Sequence, residues 1–269
     1  MALTAIQRDI CRLLAAERIA SGESYVAGGA ALITMLEASR RSQDLDLFHD
    51  TEEALQSTWS ADRNALNRAS FALEVVRERP AFIEAVIRRG DESVILQWTH
   101  DSAFRFFPLV EHPLLGLTLH PFDLATNKIL ALVGRVEARD WIDIIACDRS
   151  VQPLGYLVWA ASGKDPGLTP DLVLEQAGRS ARYSASEIEA LDFDGEPPDP
   201  AVLSRQWKAM LATSATLVDL LPPDRLGTCV LCDGDLFLGD ADSLRDALAA
   251  GSLTFHAGSI RGALPRIVR

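Results

Sequence analysis

Apolar residues recur at helical spacing from the first turn of the chain. Ile6, Ile10, Leu13, Leu14 and Ile19 fall on one side of residues 4–20, which predicts an amphipathic helix closed by Ser21-Gly22. Tyr25-Val26-Ala27 then reads as a short buried strand, Gly28-Gly29 interrupts it, and Ala30 to Ala38 reads as helix. After a polar connection at 39–43 (SRRSQ), Asp44 and Asp46 alternate with Leu45 and Leu47. Period two is a strand, with leucine towards a core and aspartate towards a cleft. A helix start follows at His49-Asp50-Thr51, with Glu52 and Glu53 in the turn where the helix dipole favours anions, and runs to about Ala69.

Three strand-like runs come next, Phe71–Arg79, Ala81–Arg88 and Ser93–Thr99, the last two joined by an Arg89-Gly90-Asp91-Glu92 turn. Phe104 to Pro108 is a bulky core patch, and Leu115–Leu119 is a further short strand. From Pro121 the pattern turns helical: Phe122–Val136, Glu137–Cys147, a segment opened by Pro153, residues 171–180, a short helix capped by Ser184 or Ser186, and residues 201–221. GEPPDP at 195–200 is an extended linker. Thr228–Leu231 and Leu236–Leu238 flank Asp233-Gly234, a strong hairpin signal. The fold class is α/β (α+β). A mixed-sheet core over 1–120 precedes a mainly helical half over 121–269 with a small terminal β-hairpin.

Composition narrows the partners. The chain has 269 residues and a net charge of −12, which counts against a general nucleic-acid coat. No apolar run approaches the ~20 residues that cross a bilayer. The N-terminus lacks a secretory core, so a cytoplasmic location with no membrane partner is expected. Four cysteines include a CxxC at Cys229 and Cys232. A structural zinc site needs four ligands, and strand positions three apart face opposite ways, so reduced packed cysteines are expected. His49, His100, His112, His120 and His256 show no metal-ligand spacing. Trp98, Trp141, Trp159 and Trp207 are core candidates. Arg77, Arg79, Arg88 and Arg89 read as a solvated strand face rather than a nucleic-acid path.

The chemistry concentrates in residues 25–48. Two carboxylates at i and i+2 of a half-buried strand project to one side and can share a divalent cation, and Mg²⁺ suits one or two carboxylates plus phosphates and waters. Gly28-Gly29, between a strand and a helix, permits close backbone approach, and a helix N-terminus offers free N–H groups to an anion. Ser42 adds a hydroxyl two residues before Asp44.

Together, GG-A-AL…RR-S-x-DLDLF resembles the opening motif of the DNA polymerase β superfamily of nucleotidyltransferases, and within it the AbiEii/AbiGii toxin-type branch. That branch carries a downstream block with a lysine and an RDxxD. DLATNKILALVGRVEARDWIDI, residues 123–144, matches it with Asp123, Lys128, Arg135, Arg139, Asp140 and Asp143. The resemblance covers about residues 20–150. On one continuous helix at ~100° per residue, Lys128, Arg135, Arg139 and Asp143 fall within roughly an 80° sector.

The resemblance implies a polymerase β-like core and Mg²⁺- or Mn²⁺-dependent transfer of NMP from an NTP to an acceptor hydroxyl. The acceptor would be RNA, such as a tRNA 3′ end, or a protein. It implies metal binding by Asp44 and Asp46, catalysis by these with Lys128 and Asp140, and nucleotide binding by Gly28, Gly29, Ser42, Lys128, Arg139 and Asp143. A toxin role would bring a cognate antitoxin. Two positions depart from the family pattern: Ala30 stands where Ser or Thr is usual, and Gln97 stands where a third carboxylate is sought, with Asp101 further on. The alternative is therefore a catalytically weak nucleotide-binding or protein-interaction module.

Overall fold

Thr4 opens α1 (Ala5–Ser21) with a reciprocal cap: its hydroxyl accepts from the Gln7 N–H, and Gln7 Oε1 accepts from the Thr4 N–H. In the computed structural model, which describes residues 3–135, 137–179 and 183–265, there follow β1 (Ser24–Ala27), α2 (Gly28–Met35) and β2 (Asp44–His49). Thr51 then caps α3 (Glu52–Arg68) through the Ala54 N–H. Next come β3 (Ala72–Arg79), β4 (Phe82–Arg89), β5 (Glu92–His100), β6 (Phe104–Arg105), β7 (Val110–His112) and β8 (Gly116–Thr118). The chain divides into two compact units. The first comprises Met1–Ala103, Leu109–His120 and Asp192–Asp194, and the second comprises Phe104–Pro108, Pro121–Leu191 and Gly195–Arg269.

The first unit is built on a seven-stranded mixed sheet in the order β3-β4-β5-β2-β1-β8-β7. β2 is central, antiparallel to β1 and parallel to β5. Its alternation decides the layers. Leu45 and Leu47 are fully buried with Leu96, Trp98, Ile83, Ala85 and Ile87 of the neighbouring strands, and each such leucine or isoleucine stabilises the fold by about 2 kcal/mol. Trp98 meets Trp59 of α3 edge-on at 4.7 Å and donates its Nε1–H to Asp62 at 2.9 Å, so this face lies against α3. Asp44 and Asp46 occupy the other face.

The second unit contains α4 (Pro121–Gly134), α5 (Ala138–Ser150), α6 (Leu154–Ala161), α7 (Pro170–Arg179), α8 (Ala185–Glu189) and α9 (Pro200–Leu220). It continues with β9 (Thr228–Cys232), β10 (Asp235–Leu236), α10 (Ala241–Ala250), β11 (Leu253–Ala257) and β12 (Ser259–Ile260). Tyr156 and Trp159 of α6 and Leu217 of α9 pack with Val230 of β9 and Leu244 of α10. No helix among the described residues is long and apolar enough to cross a membrane.

Two expectations need correction here. The two helical segments expected over 122–147 are α4 and α5, but the 80° sector drawn on one continuous helix does not hold: α4 ends at Gly134 and α5 begins at Ala138, because glycine is a poor helix interior residue. Val136 and Ser180, placed at predicted helix ends, lie outside the described residues. The β element is also more than a hairpin. β11 joins β9 after an intervening helix, giving a three-stranded sheet β10-β9-β11. Local alternation does not reveal a pairing between segments so far apart. Cys229 and Cys232 are free thiols on β9.

Candidate functional site

Asp44 and Asp46 are half-buried on one face of β2, and Asp46 sits in register with Ala27 on β1 and Gln97 on β5. The chain leaves β1 directly into Gly28, at φ +64°. A Cβ there would lie 1.8 Å from Asp46 Oδ2, so the carboxylate rests where any other residue would place its side chain. Gly29 is the second close approach: a Cβ on it would lie 3.2 Å from both Arg40 Nη2 and Ser42 Oγ. Those two side chains are buried. The Ser42 hydroxyl donates to Asp44 Oδ1 at 2.8 Å and so orients the first carboxylate. The Ala27 N-cap of α2 makes no side-chain capping bond, which leaves the first-turn N–H groups without the usual side-chain oxygen.

The polar connection is held from both sides. Gln7 of α1, itself buried, donates Nε2–H to the Ser42 carbonyl at 2.8 Å. Residues 192–194 strap the same loop: Arg41 N–H donates to the Asp192 carbonyl at 2.8 Å, Asp194 N–H donates to the Ser39 carbonyl at 2.6 Å, and Arg40 bridges Phe193. Arg41 adds a 2.9 Å ion pair with Asp194. Sequence reasoning missed Arg40, Gln7 and the strap. Arg40 stands in an RRS run that reads as a surface charge pair, and only its place against Gly29 separates it from Arg41.

The result is a corner with one helix N-terminus, one buried guanidinium and two carboxylates on the same strand face. Among the described residues no three His, Cys, Asp or Glu side chains gather as ligands, so a metal would rest on the carboxylate pair. Mg²⁺ fits that donor set, since it keeps several waters and takes the remaining oxygens from phosphate. Arg40 and the α2 N-terminus suit the phosphates themselves.

Gln97 occupies the β5 position beside Asp46, and its Nε2–H donates to Glu84 Oε2 on β4 at 2.8 Å. Asp101 is exposed beyond the end of β5 and accepts from the Ser102 N–H. Arg77 and Arg79 share the Glu84 face by register with β4, and so does Arg88, which pairs with Glu74. Arg89 turns elsewhere, pairing with Asp9 and lying over Phe71.

In the second unit, Lys128 of α4 lies 3.0 Å from Asp140 Oδ1 and 3.0 Å from Asp143 Oδ2 of α5. Arg135 donates to both Asp140 oxygens, at 2.8 and 3.2 Å. The break at Gly134 lets α5 bring its acids to Lys128. Burial alone would lower the Lys128 pKa, but the charges of Asp143 and Asp140 outweigh it and the net direction is up. Burial likewise works against ionised Asp140, yet the Arg135 hydrogen bonds and the Lys128 charge hold it below the usual carboxylate range. Arg139 pairs with Glu137 instead. Asp123 receives Lys164 Nζ at 2.8 Å and the N–H groups of Phe106 and Phe107 at 2.9 and 3.0 Å.

The fold is shared with solved structures that are named as nucleotidyltransferases, one of them a toxin. Two of the solved structures that match are these. One, from H. pylori and provisionally termed a nucleotidyltransferase, superposes with a TM-score of 0.53 at 13% identity, covering 81% of this chain and 96% of its own. The other, MenT4, a nucleotidyltransferase toxin from Mycobacterium tuberculosis H37Rv, gives 0.52 at 15% identity over 82% and 85%. No family model and no curated protein sequence matches the chain.

Proposed function

We propose that the chain transfers a nucleoside monophosphate from an NTP to an acceptor hydroxyl, with release of pyrophosphate. The observation that carries this is Gly28 giving up its Cβ space to the Asp46 carboxylate at the mouth of a helix with no side-chain cap. Asp44 and Asp46 hold the divalent cation, Mg²⁺ or Mn²⁺. A cation held by these two carboxylates would offset charge on the phosphates. Gly28 and Gly29 admit the phosphates to the α2 N–H groups, Arg40 neutralises them, and Ser42 keeps Asp44 aimed. Ser42 donates to phosphate only by releasing Asp44. Lys128, Arg139, Asp140 and Asp143 enter through the family resemblance alone, Lys128 towards the triphosphate and the two acids as the groups that set its position. The AbiEii/AbiGii branch, an RNA (tRNA 3′ end) or protein acceptor, a toxin role and a cognate antitoxin belong to the same proposal.

A nucleotide-binding module without turnover is the rival, and Gln97 beside Asp46 favours it because an amide is no general base. Labelled NTPs, Mg²⁺, total RNA and the protein itself separate the two. Label transfer that Asp46→Ala abolishes supports the enzyme; tight NTP binding with no transfer by the wild type supports the module.

A further inference from the structure

The row across the sheet from Asp46 continues through Gln97 on β5 and Glu84 on β4 to Arg77 on β3; Asp46, Gln97 and Glu84 are the three that matter here. All three alternate with fully buried neighbours, Leu45 and Leu47, Leu96 and Trp98, Ile83 and Ala85, so they share the face opposite the core. The amide of Gln97 has two unlike ends, and its partner decides which end faces which way. Glu84 Oε2 lies 2.8 Å from Gln97 Nε2. A carboxylate can only accept, so it takes the NH₂ end of the amide. Oε1 is then the end of the amide that Glu84 does not engage, on a residue in register with Asp46. An amide oxygen in turn can only accept, so whatever docks against it must carry a donor. Glu84 thereby converts a flippable amide into a fixed acceptor one strand from the metal seat.

We infer that Gln97 Oε1 receives the hydroxyl of the acceptor, and that Glu84 is the positioning residue that sets the amide for it. This rests on the nucleotidyl-transfer reading above. The acceptor oxygen forms its bond to the α-phosphorus, the bond from that phosphorus to the pyrophosphate oxygen breaks, and pyrophosphate leaves with the electron pair. The hydroxyl proton passes to solvent water. Gln97 holds the O–H direction and takes no proton. It thus fills the place of a third carboxylate as an orienting group, which a general-base role would not permit.

The test uses the full chain with Mg²⁺, labelled NTP and total cellular RNA or the protein itself as acceptor, comparing wild type, Glu84→Gln, Gln97→Leu, the double variant and Asp46→Ala. Glu84→Gln keeps the shape but can accept or donate, so the amide is free to flip. The expected result is a loss of kcat/KM for the acceptor of about tenfold to a hundredfold in each single variant, as for a misaligned reacting group. NTP affinity and melting temperature stay at the wild-type values. The double variant is no worse than either single one, because both remove one interaction. Wild-type transfer that is lost in Asp46→Ala but unchanged in Glu84→Gln and Gln97→Leu overturns this inference and leaves the nucleotidyl-transfer reading standing. Additive losses in the double variant also overturn it. Absence of any transfer by the wild type overturns both.

Discussion

Two groups of charges, one in each unit, have similar residues and different burial. On β2, Asp44 and Asp46 are half-buried and face outward beside a glycine corner. Between α4 and α5, Asp140 and Asp143 are buried and closed around Lys128, with Arg135 completing Asp140. Carboxylates buried with their cations already beside them stabilise one arrangement of helices. Half-buried carboxylates on a strand beside a glycine corner remain within reach of a cation from solution. A DxD and an RDxxD are therefore different objects here, although both appear in sequence as acids at short spacing.

Breaking the closed group should cost the most stability. Asp140→Asn leaves Lys128 with Asp143 alone and Arg135 with the longer 3.7 Å pair to Glu137, and unfolding in urea should show a loss of about 3 kcal/mol. Asp44→Asn, on the open face, should change unfolding by less than about 1 kcal/mol. Equal losses in the two variants would erase the contrast.

A second effect is set by pH and acts behind β2. His49 is buried, with Nε2 2.6 Å from Thr58 Oγ1. Burial, aided by the Arg18 charge, pushes its pKa down to about 4 against a pull upward from the Thr99 carbonyl. The folded state thus favours the neutral ring. That stability is fully present above the unfolded value of about 6.5 and is lost as pH falls through about 4, amounting to roughly 3 kcal/mol. Urea unfolding of wild type and His49→Gln between pH 7 and 4 should converge as pH drops; parallel curves would contradict the assignment.

Gly28→Ala comes next. A left-handed φ costs a β-carbon residue about 1–2 kcal/mol, and the new methyl must displace the Asp46 carboxylate. Transfer should therefore fall far more than stability, measured by label incorporation beside a melting curve. Ser42→Ala is the mildest, at about 1 kcal/mol or less of stability, with the Asp44 orientation lost and the Mg²⁺ requirement shifted to higher concentration in the same assay.

Much of this was legible in the chain. Strict alternation at 44–47 places two acids opposite two leucines, and nothing but a strand with one wet face satisfies that. Thr51 with Glu52 and Glu53 announces α3 by the same local logic. What stayed hidden depends on partners distant in sequence. Arg40 and Arg41 are adjacent and chemically identical, yet one leans on Gly29 while the other pairs with Asp194. Gln7 reads as the polar side of an amphipathic helix, and its bond to the Ser42 carbonyl spans 35 positions. Glu84 becomes a neighbour of Gln97 only through the β4–β5 register. The 80° sector drawn for Lys128, Arg135, Arg139 and Asp143 on one continuous helix failed because a single glycine, tolerable in many helices, here ends α4.

The most direct measurement is label transfer from each of the four NTPs, with Mg²⁺, by wild type and by Asp46→Ala of matched stability. The account predicts incorporation into RNA or protein by the wild type, loss of at least about a thousandfold in the variant, and abolition by chelator. Transfer that persists in Asp46→Ala would contradict it.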